Sequence, residues 1–188
     1  MKIVIFASGA GSNAENIIQH FQANKQAEIA SVLSNNPQAG ALEKAASLGV
    51  PTQVFDRKVF YETNQIVEDL QAQAIDLLVL AGFLWLVPTN LIQAFPNRIV
   101  NIHPSLLPKY GGKGMYGAKV HEAVFANKET ETGITIHYVN EYYDEGAVIS
   151  QVKVAIDSED TPETIADKVH QLEYEHFPKV IRAILKDL

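Results

Sequence analysis

Short apolar runs separated by amphipathic stretches set the tightest limit on what this chain can fold into. Ile3–Ala7, Ile29–Leu33 and Ile75–Ala81 are each long enough for one buried strand and too short for a core-spanning helix. Between them, residues 13–23 place Ile17, Ile18 and Phe21 on one side of a helix. Residues 40–48, opened by Gly40 and closed by Gly49, predict a second helix before an extended Pro51–Phe55. Residues 58–73 carry Val59, Thr63, Ile66, Val67 and Leu70 at helical spacing. A helix opened by Pro88 then leads to a strand over 98–103. Parallel neighbours need such crossovers, so the expectation is a Rossmann-like, mostly parallel twisted sheet with helices on both faces. From Thr132 the pattern changes to alternation, in Thr135–Val139 and Ala147–Ile156, which predicts an antiparallel C-terminal portion. The last helix should open at Thr161-Pro162, with Pro178 kinking or dividing it. At 188 residues, one α/β domain over 1–188 is expected.

Within that frame, Asn101-Ile102-His103-Pro104-Ser105-Leu106-Leu107-Pro108 carries the strongest chemical signal. Side chains two apart on a strand project from one face, so Asn101 and His103 should share a space at the strand end, where the prolines turn the chain away. Asp144-Glu145-Gly146 offers a carboxylate on a turn between two later strands. An amide, an imidazole and a carboxylate together can bind an oxyanion and move a proton. A carboxylate beside His103 should raise its pKa above the ordinary value of about 6.5.

The second signal is Gly9-Ala10-Gly11-Ser12-Asn13, a glycine turn between strand and helix, where free N–H groups favour a phosphate. With Ala14 it also fits a dinucleotide fingerprint, but Ser34-Asn35-Asn36 stands where that motif needs an acidic residue about 20 positions on. A single phosphate is therefore preferred. His20, His121, His137 and His176 lack metal-ligand spacing, and Phe125 replaces the second histidine that His121-Glu122 would need, so no metal is assigned. The glycine-rich segment 109–117 should be a mobile loop beside the site.

Charge and composition narrow the classes. A net charge of −7 and a pI near 5.3 disfavour nucleic-acid backbone binding. Without cysteine there is no disulfide, thiolate metal site or thiol nucleophile. The apolar N-terminus is interrupted at Ser8-Gly9, too early for a signal core or membrane span, so a soluble cytoplasmic protein is expected.

Taken with Leu80-Ala81-Gly82-Phe83, these motifs resemble the phosphoribosylglycinamide formyltransferases, and the likeness covers essentially the whole chain. The resemblance implies a formyltransferase fold, with a nucleotide-binding half over about 1–100 and a catalytic and folate-binding half over about 80–188. It implies transfer of the formyl group of N10-formyltetrahydrofolate to the amine of glycinamide ribonucleotide in purine synthesis. No metal or covalent intermediate is needed, and a monomer or weak homodimer is expected. By the same likeness Asn101, His103 and Asp144 are catalytic, with Asn101 and Asp144 also touching the folate. Gly11, Ser12 and Asn13 hold the nucleotide phosphate and ribose with Glu173, and Leu84, Trp85, Leu86 and Val87 line the folate pocket; His170, one turn before Glu173 on the last helix, is expected on the same face by helical spacing. Trp85 stands where many members carry arginine. Competing readings are a hydrolase releasing formate from the same folate, a sugar-amine N-formyltransferase, and a non-catalytic nucleotide-binding module.

Overall fold

The computed structural model describes residues 1–188. The apolar runs form strands β1 (Lys2–Phe6), β2 (Glu28–Ser34), β3 (Thr52–Val54), β4 (Leu77–Leu80) and β5 (Ile99–His103), joined by β6 (Glu131–Tyr138) and β7 (Val148–Ala155). One sheet holds all seven in the order β3-β2-β1-β4-β5-β6-β7. Pairings through β5 are parallel, whereas β6 runs antiparallel to β5 and β7 antiparallel to β6. The mixed sheet has the expected antiparallel end.

Strand alternation decides which helix covers which face. Ile3 and Ile5 of β1 pack with α1 (Ser12–Asn24), α2 (Gly40–Ser47) and α7 (Pro162–Asp187). Val4 and Phe6 point the other way, into a core with α3 (Arg57–Glu62), α4 (Gln65–Ala72) and α5 (Thr89–Ala94). Each buried Ile, Leu or Phe contributes about 1.5–3 kcal/mol relative to exposure, so both faces are held firmly. On β5, Val100 and Ile102 join the first core and Ile99 the second. Asn101 and His103 therefore share the face of Ile99 and lie where that core ends.

Three elements depart from the sequence expectation. Residues 58–73 are two helices, because side chains compete with the backbone ladder between them. The Asp56 carboxylate starts α3 by accepting from Val59 N–H (2.8 Å). Thr63 is extended, donates its hydroxyl to Val59 O (2.8 Å) and accepts from Gln65 N–H (3.3 Å). A helix not foreseen, α6 (Ala118–Ala126), follows the glycine loop; its cap is Gly117, which offers no side-chain bond. Finally, α7 runs undivided through Pro178. Proline lacks the N–H that would reach the carbonyl four residues back, and Asn16 Nδ2 of α1 donates to that Tyr174 carbonyl instead (3.0 Å).

The strand order reverses direction between β1 and β4, and ligands of open α/β sheets bind at such a crevice. Ser8 ties the crevice together. Its N–H donates to Gly82 O (3.0 Å), and its hydroxyl donates to Asn35 Oδ1 (2.6 Å) and accepts from Leu84 N–H (3.0 Å). Gly11 lets the turn into α1 close. Its φ is +77°, and a Cβ there would lie 2.3 Å from Ala41 Cα. Gly11→Ala should therefore destabilise the protein by about 1–3 kcal/mol from backbone strain alone, with the clash adding to that. Denaturant unfolding measures it; a wild-type midpoint would refute the close approach.

Candidate active site

Strand register assembles the site. Across the antiparallel β5–β6 pair, Asn101 faces His137 and His103 faces Thr135. Asp144 enters from the β6–β7 turn in the left-handed region (φ 58°), a conformation Asp tolerates better than most residues. The turn folds tightly onto β6, since a Cβ on Gly146 would lie 1.7 Å from Tyr138 O.

Asp144 is largely buried and meets side chains and backbone from three segments. Its Oδ2 accepts from Gly112 N–H (2.9 Å) and lies 3.4 Å from His103 Nδ1. Its Oδ1 accepts from Asn101 Nδ2 (3.4 Å) and lies 3.6 Å from His137 Nε2. His137 Nδ1 donates to the Tyr138 carbonyl (2.8 Å), so in the neutral ring Nε2 accepts from Asn101 Nδ2 (3.1 Å). His103 Nε2 donates to the Tyr110 carbonyl (2.7 Å). Ser105 and Thr135 brace the turn after β5: Thr135 Oγ1 donates to Ser105 O (2.7 Å) and accepts from Leu107 N–H (2.9 Å).

Burial reverses one expectation. The His103 imidazole is held below its ordinary 6.5, because burial penalises the cation more than Asp144 and the Tyr110 carbonyl favour it. The sequence shows the carboxylate but not how dry the ring is. For Asp144, burial is also the largest single influence and pushes its pKa up. The neighbouring His137 ring, His103 and the Gly112 N–H together outweigh it, leaving the carboxyl below the usual range. A resting site with ionised Asp144 and neutral His103 follows.

A cleft of about 550 Å³ opens over these groups. Ser12 and Asn13 of α1, Leu84 after β4, Asn101, His103 and Asp144, and His170 and Glu173 of α7 all line it, as does the glycine segment 112–117. Glu173 is buried, which raises its pKa, while Asn13 Nδ2 donates to it (2.9 Å). Gly11 shapes the turn from behind and is not in the lining.

Trp85, Leu86 and Val87 lie apart, around a smaller cavity of about 50 Å³. Asn101, Phe83, Tyr143 and Asp144 border both spaces. Trp85 packs on Phe55, Phe60 and Tyr61, and Arg57 stacks over Tyr61 (4.9 Å) and Trp85 (5.6 Å). Val87 is core. His137, Tyr110 and Thr135 went unassigned from sequence: the alternation of 135–139 placed His137 and Thr135 on one face, but only the β5–β6 register brings them to Asn101 and His103. No group of three or more His, Cys, Asp or Glu side chains is arranged to hold a metal ion.

Comparison with known proteins fits this geometry. Residues 1–181 match the family described as formyl transferase. The phosphoribosylglycinamide formyltransferase of Bacillus subtilis is 36% identical over 189 residues, covering 98% of this chain and 94% of that protein. The chloroplastic enzyme of that name from Arabidopsis thaliana is 38% identical over 99% of this chain. The chain spans 66% of that plant protein's length, and 61% of its Vigna unguiculata counterpart's. Among solved structures, phosphoribosylglycinamide formyltransferase from Bacillus halodurans superposes with a TM-score of 0.87 at 37% identity, covering 98% of this chain and 95% of that one.

The opposing influences on His103 can be separated by NMR titration of its ring. The wild-type midpoint should lie below 6.5. Asp144→Asn removes the charge that favours the cation, so the midpoint should fall further. A rise in that variant would contradict the arrangement.

Proposed function

Because this chain belongs to the formyl transferase family, we propose that it transfers the formyl group of N10-formyltetrahydrofolate to the amine of glycinamide ribonucleotide. The products are formylglycinamide ribonucleotide and tetrahydrofolate, in purine synthesis. The observation that carries this reading is the shared wall: Asn101 and Asp144 border both the larger cleft and the smaller cavity. A donor in one and an acceptor in the other would meet at those two side chains.

In the cleft, the N-terminus of α1 at Ser12 and Asn13, shaped by Gly11, presents backbone N–H groups to the phosphate. Glu173 and His170 take the ribose hydroxyls. Leu84 borders the cleft, and Trp85, Leu86 and Val87 wall the cavity for the folate ring. The amine nitrogen attacks the formyl carbon, giving a tetrahedral oxyanion. The carbon then leaves folate N10 as the substrate amine loses a proton and N10 gains one. Asp144, ionised in the resting site, relays that proton.

Asn101 and His103 stabilise the oxyanion. Both already donate within the protein, so each exchanges a bond as charge develops. For Asn101 the longer contact, 3.4 Å to Asp144, is the one given up. For His103 it is the bond to Tyr110 O. Proximity of a developing anion then favours the imidazolium that burial disfavours in the free protein.

No metal takes part in this scheme. Its substrates are small molecules, and we place the reaction in the cytoplasm on a single domain over 1–188, as a monomer or weak homodimer. No helix is long and apolar enough to cross a membrane.

Assays with N10-formyltetrahydrofolate, with and without glycinamide ribonucleotide, test the reading. Nucleotide-dependent tetrahydrofolate release and a formylated product by mass are expected. Formate released without nucleotide would instead mean a deformylase. Asp144→Asn and His103→Ala should each lower kcat by about 10²–10⁴-fold with the circular dichroism spectrum retained. Near-normal turnover would remove that residue from the mechanism.

A further inference from the structure

Four buried side-chain polar atoms find no hydrogen-bonding partner in the protein: Asn13 Oδ1, His20 Nε2, His121 Nδ1 and Thr132 Oγ1. Native interiors tolerate few such atoms, and one beside a ligand cleft calls for an explanation. Two of the four belong to residues that line the large cleft, Asn13 and His121. Asn13 is already placed by its bond to Glu173. His121 has no part in the reaction set out above.

His121 stands on α6, 3% exposed, and its ring meets that of His170 edge-on with centroids 6.2 Å apart. Burial, reinforced by His170 and His103, holds its pKa down to about 4. It is therefore an uncharged ring at neutral pH, with one donor and one acceptor. That suits an uncharged amide better than a phosphate. Its position agrees: it lines the same cleft as His103, at the reacting end, and its ring meets His170, at the ribose end. In glycinamide ribonucleotide the group between ribose and reacting amine is an amide.

Resting on the glycinamide ribonucleotide reading, we propose that His121 is a substrate-recognition residue whose imidazole hydrogen-bonds the amide joining the ribose to the reacting amine. That bond fixes the short arm that carries the nucleophile and so aims it at Asn101 and Asp144. It also separates the true acceptor from sugar phosphates that lack the arm, because only the former satisfies the buried ring.

Steady-state kinetics of the full chain with His121→Phe and His121→Gln provide the test, with ribose 5-phosphate as competitive inhibitor against the nucleotide. His121→Phe should raise the KM for glycinamide ribonucleotide at least tenfold. The folate KM and the Ki of ribose 5-phosphate should stay within twofold, and His121→Gln, which keeps a donor and an acceptor, should recover part of the loss. An unchanged nucleotide KM overturns the inference. So does a parallel rise in both KM values and the Ki, which marks a packing role for His121. If the phenylalanine variant does not fold, ring ¹⁵N resonances of the wild-type protein decide. His121 should shift with glycinamide ribonucleotide and not with ribose 5-phosphate, and equal responses overturn the proposal. Wild-type protein that does not turn over the nucleotide fails at the earlier reading, and this one falls with it.

Discussion

The ionised Asp144 side chain is the constraint on which the rest of this site depends. A carboxylate taken out of water costs several kcal/mol unless donors replace its hydration. Here they come from the glycine segment at Gly112 and from β5 at Asn101, with the rings of His103 and His137 packed beside the carboxylate. Each of these groups is in turn fixed by the fold: Asn101 and His103 by strand period, His137 by antiparallel register, Gly112 by the loop after the Pro-rich turn. Moving the carboxylate would unpair the Gly112 N–H and one hydrogen of the Asn101 amide together, so the charge positions the site as much as the site holds the charge.

The same burial explains why His103 rests neutral. A cation and an anion 3.4 Å apart attract strongly in a dry site, but creating the imidazolium there loses its solvation, and the second effect prevails. A neutral imidazole does not permanently neutralise Asp144. The carboxylate keeps its capacity to take a proton, and His103 can respond to negative charge when it appears. A more exposed pair would form a standing salt bridge and lose that responsiveness.

Much of this was legible in the sequence because it follows from short-range periodicity. Alternation on β5 paired Asn101 with His103, the prolines ended the strand, and Gly11 marked the turn beneath α1. What failed depends on competition or on distance along the chain. Thr63 breaks a helix through its own hydroxyl, although its spacing fits the helical stripe. The run at 118–126 follows a glycine-rich stretch with no side-chain cap, so nothing announces its start. His137 reaches Asn101 only through a register set between residues 36 apart, and the depressed pKa of His103 needs its burial to be known. Pro178 reads as a breaker until Asn16, from another helix, is seen to satisfy the carbonyl it orphans.

One short segment links His103 and Asp144. Tyr110 gives its carbonyl to His103, and Gly112 gives its N–H to Asp144, two residues apart. Tyr110 itself sits at φ 57°, a conformation that costs a non-glycine residue about 1 kcal/mol or more. Its phenol is anchored on Glu129, which also pairs with Lys109, so the segment is braced from outside the cleft. The orientation of both side chains is thus set by a loop whose own conformation is held by surface contacts. The core beneath β5 fixes where Asn101 and His103 emerge, and this loop fixes which way the imidazole and the carboxylate face.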